Sequence, residues 1–528
     1  MLFNSYIFIF LFFPLCLLGF YGLRKVNSTW AKVWVIGFSL WFYGYFNIRY
    51  LCIMIFSILL NYGAYKMIVQ ADSVAADATS AKKGPLSFNP KTILITGVSL
   101  NLLLLFYFKY FDFFIENINA VFGTSVALRN IVLPLGISFF TFQQISFLAD
   151  TYRGELKECS FVDYALFVSF FPQLIAGPIV THDEMLPQFK EIGTKRFEED
   201  NFCRGLFIFI LGMGKKVLIA DTFGIAVDTG YSMVGQLGSV DAVLVMLFYT
   251  LQLYFDFSGY CDMAIGIGKM MGIEIALNFN SPYKACNIID FWKRWHITLS
   301  RFFTKNIYIP LGGNRRGEAR MYANLFLVFF LSGIWHGAGW NYILWGVMHG
   351  VLYCITRWWQ KNAKTSQVAL DETDKKSRDN GQAVEEPMAI KVTKSLTRFG
   401  KILLTFLYVN AAWVFFRSES IGQALALFGR MFAGGIAIPS ITIAEAFNLD
   451  EFWYVLKVLH LTDFTYSKYI LMVMFIIVIL VVTFFGKNVH ELAKKWKMSA
   501  VSAVVLAIVF IWCVVSLSGV STFLYFNF

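Results

Sequence analysis

Long apolar runs separated by short polar stretches repeat along the whole chain. Many of these runs approach the length of about 20 apolar residues that an α-helix needs to cross a bilayer. Predicted spans lie at residues 6–22, 33–46, 50–69, 93–114, 131–149, 202–220, 242–257, 403–416, 469–485 and 501–517, with a shorter apolar helix at 260–271. The pattern therefore predicts an all-α, polytopic membrane protein with about 10–12 spanning helices.

Two stretches depart from this pattern. Residues 161–180 are apolar but contain Pro172 and Pro178, so we expect a re-entrant or broken helix there. Residues 360–401 are rich in charged side chains and poor in aromatic ones, which predicts a flexible cytoplasmic loop. We treat residues 1–528 as a single membrane domain, with a catalytic core region at 131–357 and an extracytoplasmic segment at 418–467.

Composition and charge agree with a membrane location. Hydrophobic residues make up 57% of the chain and aromatic residues 18%, more than a soluble fold buries. The formal net charge of +11 comes from basic residues in short loops between apolar runs, a distribution typical of cytoplasmic loops. Membrane topology thus explains the positive charge better than nucleic-acid binding does. Arg24 and Lys25 after the first run place the N-terminus outside, and the same rule places the C-terminus outside.

The cysteines give no sign of a metal site. Four of the eight, Cys16, Cys52, Cys354 and Cys513, lie inside apolar runs, and the chain has no Cys-x-x-Cys spacing. We therefore expect neither a zinc site nor a disulfide framework, and interpret the cysteines as packing residues.

The chemically unusual part of the chain is the block of residues 287–350. His296 and His336 lie 40 residues apart, each directly after a tryptophan, in a region that otherwise reads as membrane helix. A titratable side chain at membrane depth is costly unless it faces a cavity or a partner, so both are candidate functional residues. Glycines at 333, 337 and 339 interrupt the chain around His336, and we expect them to leave room for a substrate.

The pattern at residues 290–305 predicts one amphipathic helix. Asp290, Arg294 and Arg301 fall on one face, and His296 falls on the opposite, apolar face with Trp292. A lone histidine there would be interpreted as a core residue. The second histidine favours a functional pair, in which a neutral imidazole takes a proton from a hydroxyl group. We assign the role of general base to His336, and interpret His349, in a continuous helix, as structural.

A basic turn follows the first histidine. Residues 311–317 contain Gly312, Gly313, Asn314, Arg315 and Arg316, whose amides and guanidinium groups suit the binding of phosphates. The alternative interpretation is a stop-transfer cluster at the membrane surface. Both interpretations place the turn in the cytoplasm.

The same residues resemble a known family. The matching stretches are 278–284 (NFNSPYK), 290–301, 308–313, 333–337, 133–139, 152–154, 170–179, 254–259 and the closing 523–528 (FLYFNF). Together, and in this order, they resemble the membrane-bound O-acyltransferase family, in the bacterial branch that acetylates alginate and peptidoglycan. The resemblance spans nearly the whole chain.

The resemblance implies a helical fold around a central funnel, an essential histidine at His336 and a companion at His296. It further implies acetyl-coenzyme A as the cytoplasmic acyl donor, no metal, a multi-pass location in the bacterial inner membrane, and a periplasmic O-acetyltransferase partner that modifies a polysaccharide. Trp295 and Trp335 join Asn314, Arg315 and Arg316 as expected donor-binding residues.

Three alternatives remain open at this stage. The same fold can transfer another acyl group, such as D-alanine from a carrier protein to teichoic acids. A transporter or glycan channel would also show broken helices and buried polar groups. A scaffold that only holds a soluble transferase would use the outer segment 418–463, with Asp450, Glu451 and Asp463, as its docking surface.

Overall fold

The computed structural model describes residues 1–76, 89–156, 158–375, 388–448, 457–458, 460, 464, 466–519 and 523–524. Every regular element in this part of the chain is a helix, which confirms the all-α prediction. The predicted residues Asp450, Glu451 and Asp463 and most of the closing segment 523–528 lie outside the described residues.

The first half of the chain contains these helices: Phe8–Phe12, Phe13–Arg24, Ser28–Gly44, Ile48–Ala76, Pro90–Leu105, Phe106–Tyr110, Phe111–Phe122, Ile137–Tyr152, Phe161–Ser169, Phe171–Leu174, His182–Lys190, Glu191–Gly193, Glu199–Gly214, Lys215–Ala220, Asp221–Ser232, Val234–Gln236 and Ser239–Met270. The second half contains Pro282–Lys284, Ile288–Trp292, Ile297–Phe303, Thr304–Tyr308, Glu318–His336, Trp340–Lys375, Met388–Arg417, Ile421–Ala433, Ile441–Ala444, Glu445–Phe447, Ser467–Phe485, Val489–Lys495, Ala500–Val515 and Ser516–Gly519.

Five helices among the described residues are long and apolar enough to cross a membrane: Ile48–Ala71, Pro90–Phe122, Ser239–Met270, Ser395–Arg417 and Ser467–Phe485. Three shorter apolar helices accompany them at Phe8–Arg24, Ile421–Ala433 and Ala500–Val515. Their outward faces carry many exposed leucine, isoleucine, valine and phenylalanine side chains. Such a surface suits contact with lipid, so the chain is a polytopic membrane protein.

The helix Ser239–Met270 runs through the centre of the protein as one unbroken element. The predicted division into two apolar segments, 242–257 and 260–271, is therefore wrong. Gly259, which lies between the two predicted segments, marks a helix contact. A Cβ atom on Gly259 would lie 2.8 Å from the backbone oxygen of Gly212 in helix Glu199–Gly214. Small residues allow this close approach between membrane helices.

Buried ion pairs hold this central helix to its neighbour. Lys215 binds Asp262 and Lys216 binds Asp256, each at 2.6 Å, and Lys216 also binds Asp221 at 2.7 Å. The side chains of Lys216 and Asp256 are only 1% and 2% exposed. Because charged groups inside an apolar environment must be paired, the two adjacent lysines fix the register between the two elements.

The two segments that departed from the pattern of apolar runs, 161–180 and 360–401, differ in how well the structure fits their predictions. The segment 161–180 is a broken helix, as predicted: Phe161–Ser169 ends at Phe170, a four-residue helix Phe171–Leu174 follows, and the chain then turns. In 360–401, predicted as a flexible loop, one helix extends to Lys375 and the next begins at Met388. Lysine, glutamate, glutamine and alanine, which are frequent in this segment, favour the helical backbone.

The helices Glu318–His336 and Trp340–Lys375 form an antiparallel pair, which we call the histidine hairpin. A Cβ atom on Gly333 would lie 2.5 Å from the backbone oxygen of Tyr342, and one on Gly346 would lie 2.5 Å from that of Phe329. These glycines bring the two helix backbones together. His336 is the last residue of the first helix, next to the turn.

Candidate active site

The segment that carries His296 is broken into two short helices, Ile288–Trp292 and Ile297–Phe303. His296 lies directly before the second helix with a left-handed backbone, φ 46° and ψ 52°. The single amphipathic helix predicted across 290–305 is therefore wrong. A left-handed backbone costs a residue with a side chain about 1–2 kcal/mol, so other contacts must hold it in place.

Asn278 supplies those contacts from 18 residues away. Its backbone oxygen accepts a hydrogen bond from the Ile297 amide at 3.0 Å. Its side-chain oxygen accepts from the Thr298 amide at 3.2 Å and from the Thr298 hydroxyl at 2.9 Å. These bonds satisfy amides at the start of helix Ile297–Phe303, which has no cap of its own.

The same oxygen determines which ring nitrogen of neutral His296 carries the hydrogen atom. The Nδ1 atom of His296 lies 3.1 Å from Oδ1 of Asn278. A backbone amide can only donate, so the bond from Thr298 identifies this Asn278 atom as the carboxamide oxygen. Nδ1 of His296 must therefore donate to it. In the neutral imidazole the Nε2 atom then carries the lone pair.

His336 is enclosed by aromatic side chains from two helices of the hairpin and from helix Met388–Arg417. Its ring lies 5.0 Å from Trp345, 5.2 Å from Phe416 and 4.9 Å from Trp335, measured between ring centres. The rings of His336 and His296 are 6.5 Å apart. The structure thus brings together the two histidines that the sequence singled out. They are 3% and 0% exposed, respectively.

His349 has a structural environment. Nε1 of Trp292 donates to its Nδ1 atom at 3.4 Å, and the two rings meet edge to face. Trp345 and Tyr408 pack against other sides of the imidazole. His349 therefore ties helix Ile288–Trp292 to the hairpin, which agrees with the structural role expected for it.

A cavity of about 730 Å³ lies between the broken segment and the histidine hairpin. Its walls are mainly apolar and include Trp292 and Ser332, the latter one helical turn before His336. Neither imidazole lines it. Four basic residues contribute to its lining: Lys293, Arg301, Lys305 and Arg357. The cavity thus combines an apolar interior with basic side chains, of which Arg301 pairs with Glu184 and Lys305 with Asp150 and Glu155.

The expected donor-binding residues differ in their position relative to the cavity. Asn314 lines the cavity, whereas Arg315 and Arg316 are exposed on the adjoining turn. Trp335 is buried, with its ring 5.3 Å from Phe142 and 6.1 Å from His296. Trp295 is buried against Phe279 and Trp413.

The glycines around His336 do not open a path for a substrate, so that interpretation is wrong. The place of a Cβ atom on Gly337 is taken by the ring of Tyr342, and that on Gly333 by backbone of the second hairpin helix. Their absent side chains serve close packing of the hairpin. Within the described part of the chain, no group of three or more histidine, cysteine or acidic side chains is arranged to hold a metal ion.

Comparison with known proteins identifies the family of the chain. The sequence pattern of the membrane-bound O-acyltransferase family matches residues 99–390, which contain both histidines and the cavity. The chain is 37% identical to a peptidoglycan O-acetyltransferase of Helicobacter pylori, over 100% of this chain and 98% of the relative. It is 35% identical to a probable alginate O-acetylase of Pseudomonas putida, over 82% and 81% of the two chains.

A third relative is a teichoic acid D-alanyltransferase of Bacillus subtilis, 31% identical over 44% of this chain and 61% of the relative. The family pattern covers more than half of the 528 residues, and the acetylating relatives extend over most or all of them. The chain is an O-acetyltransferase that belongs to the membrane-bound O-acyltransferase family.

Proposed function

We propose that the protein transfers acetyl groups from cytoplasmic acetyl-coenzyme A across the inner membrane to a hydroxyl group on the far side. The acceptor is a serine of a periplasmic partner or a hydroxyl of a cell-surface polysaccharide. The observation that carries the proposal is the pair of buried imidazoles, 6.5 Å apart, with His336 one helical turn after Ser332, which lines a cavity that also has basic lining residues.

His336 acts as the general base. Its imidazole removes the proton from the acceptor hydroxyl while the hydroxyl oxygen forms a bond to the acetyl carbon. The carbon–sulfur bond breaks, and the leaving thiolate receives the proton from the imidazolium. Apolar surroundings keep the imidazole neutral before the reaction, which this role requires.

His296 positions the donor. A histidine in this place could polarise the acetyl carbonyl or position the donor. Polarisation requires a hydrogen atom on the nitrogen that faces the carbonyl oxygen. With Nδ1 donating to Asn278, the neutral ring offers a lone pair at Nε2 and so accepts a hydrogen bond instead. The geometry supports the second role.

The basic residues that line the cavity suit the phosphates of coenzyme A. Burial lowers the pKa of Lys305, but hydrogen bonds and attraction from Asp150 and Glu155 outweigh this and raise it, so its ammonium group stays charged at neutral pH. Arg357 and Lys293 add charge on the same cavity. Arg315 and Arg316 are close in sequence to the lining residue Asn314 and extend the basic surface.

The thioester must pass from the cavity to the imidazoles. The lining ends at Ser332 and Trp292, and the rings of Trp335 and Trp345 lie against His336. Transfer therefore requires side chains between Ser332 and His336 to move when substrates bind. Closure of this kind keeps water from the reacting groups.

The outer segment after helix Ile421–Ala433 supports the proposed partner. Phe432, Ile436 and Ile438 are 90%, 94% and 70% exposed, in a stretch that continues beyond the helix as non-helical chain. Exposed apolar residues on a membrane protein contact lipid or another protein, and non-helical backbone such as 435–440 is not exposed to the lipid core, which favours a protein contact for Ile436 and Ile438. We expect the periplasmic partner to dock there.

The donor is tested with purified protein in lipid vesicles. Acetyl-coenzyme A with a radiolabelled acetyl group and a carrier protein with radiolabelled D-alanine are supplied in turn. The label transferred to a hydroxyl acceptor is measured for each donor. We expect transfer from acetyl-coenzyme A only. Transfer from the D-alanyl carrier alone would show that the protein transfers D-alanine and not acetyl groups. Uptake of a glycan without any acyl donor would favour the transporter alternative.

Asn278 gives a second test of the site. Replacing Asn278 by alanine removes the oxygen that holds His296, so we expect the rate of acetyl transfer to fall by about 100-fold. The Asn280→Ala variant is the matched control, because Asn280 binds Asn488 and lies two residues away. Both variants are compared by initial rates and by thermal unfolding. Equal rates in the two variants would contradict the role of Asn278.

A further inference from the structure

The helix that ends at His336 is not closed by its own chain. The last carbonyl groups of an α-helix have no partner within the helix and are commonly satisfied by a left-handed turn that follows it. Here the next residue, Gly337, is extended at φ −165° and ψ 155°. The final carbonyls of helix Glu318–His336 must therefore be held by another part of the molecule.

Two adjacent side chains hold them. Nζ of Lys109 donates to the backbone oxygen of Trp335 at 2.5 Å and to that of His336 at 3.2 Å. The hydroxyl of Tyr110 donates to the backbone oxygen of Ile334 at 2.9 Å. Three consecutive carbonyls at the end of the helix thus bind one lysine and one tyrosine. Lys109 also lies 5.7 Å from the centre of the Trp335 ring.

A turn of π-helix directs the side chains of Lys109 and Tyr110 to the same helix end. In a regular α-helix, neighbouring residues point in different directions. Residues Phe106–Tyr110 instead form one turn of π-helix, which ends at Tyr110 with φ −115° and ψ −8°. Such turns are rare and often occur at functional sites. The widened turn lets Lys109 and Tyr110 reach consecutive carbonyls.

The same helical region holds the other side of the turn. Nε1 of Trp340, the first residue of the second hairpin helix, donates to Asn117 at 3.0 Å, and Phe113 packs against its ring. Residues 106–122 therefore bind both ends of the short link between the hairpin helices. His336 occupies the end of that link.

A lysine at position 109 is energetically unfavourable, which indicates that it has a function. It lies within the candidate span Pro90–Phe122, where a charged group is expensive. Its hydrogen bonds go to carbonyl oxygens at a helix C-terminus, where a positive charge is favoured by the helix dipole. This contact places the Lys109 amino group, as a hydrogen-bond donor, beside the backbone of the proposed base.

We propose that Lys109 is a positioning residue for acetyl transfer, which holds the end of helix Glu318–His336 so that the His336 imidazole faces the reacting groups. Tyr110 assists by binding the carbonyl one residue earlier. The proposal rests on the function of His336 given above. Lys109 acts through the backbone of His336 and touches no substrate.

The test compares Lys109→Met, Lys109→Arg and Tyr110→Phe in the vesicle assay with acetyl-coenzyme A. We expect Lys109→Met to lower kcat by up to about 100-fold while KM for acetyl-coenzyme A stays unchanged, because the donor cavity is intact. Arginine also donates to carbonyl oxygens, so Lys109→Arg should recover most of the loss. Tyr110→Phe should give a smaller loss of the same kind.

Lys66→Met is the matched control, since Lys66 is an exposed lysine on another spanning helix, packed over Tyr62 and Tyr65. It should keep the wild-type kcat. Unchanged kcat in Lys109→Met, or loss in Lys109→Arg equal to that in Lys109→Met, would overturn the proposal. If Lys109→Met does not fold, unchanged kcat in folded Tyr110→Phe would overturn it. Activity retained by His336→Asn would instead refute the proposed function itself.

Discussion

The His336→Asn variant should lose acetyl transfer by about 10²- to 10⁴-fold, the contribution that a positioned general base makes to such reactions. Asparagine is polar, is smaller than histidine so that it fits the same space, and cannot take up a proton at neutral pH. The buried end of helix Glu318–His336 should therefore persist, and the loss should appear in kcat. The measurement is the initial rate of transfer from labelled acetyl-coenzyme A to a hydroxyl acceptor, with the protein in vesicles.

The matched control is His349→Asn. His349 accepts a hydrogen bond from Trp292 through Nδ1, and the oxygen of an asparagine side chain can accept the same bond. We expect this variant to work at close to the wild-type rate. Equal losses in both variants would show a general effect on packing. Full activity in folded His336→Asn would remove His336 from the mechanism.

The Lys216→Met variant should lower the free energy of unfolding by about 3–5 kcal/mol, because it leaves buried carboxylates without their cation. Lys216 binds both Asp221 and Asp256, and the Asp256 side chain is only 2% exposed. Thermal unfolding in detergent, followed by the helical circular dichroism signal, measures the change. Adding Asp256→Asn to this variant should restore part of the stability.

An exposed ion pair serves for comparison. Lys468 binds Glu445 at 2.6 Å, but the two side chains are 37% and 46% exposed. Loss of such a pair costs about 0–1 kcal/mol, so Lys468→Met should unfold close to the wild-type temperature. Equal stability of Lys216→Met and Lys468→Met would show that the buried pairs do not hold the central helix.

The sequence was sufficient for the features that depend on local pattern. Apolar length predicted four of the five long apolar helices of the described residues as single spans, but the predicted spans 33–46, 131–149 and 202–220 are not among those helices. The two prolines predicted the break at 161–180. The histidines at 296 and 336 stood out because a titratable group is costly in apolar surroundings. The structure places their rings together, although 40 residues separate them in the chain.

The features missed depend on contacts between distant residues. The pattern at 290–305 fits a continuous helix, and only the bonds from Asn278 explain why it breaks at His296. The helix predicted in two segments, 242–257 and 260–271, is continuous, and Gly259 between them packs against Gly212, which is 47 positions earlier in the sequence. Lys109 binds a carbonyl 227 residues later. A lone lysine inside an apolar run was the available signal for it.

The enclosure of the two imidazoles protects the thioester of acetyl-coenzyme A from hydrolysis. A thioester beside an exposed base would be hydrolysed, since water is a competing nucleophile at high concentration. With the rings 0% and 3% exposed behind tryptophan and phenylalanine side chains, bulk solvent does not reach the base. An acceptor must bring enough binding energy to displace aromatic rings before acyl transfer begins. The shell of rings thus favours productive transfer over futile breakdown of acetyl-coenzyme A.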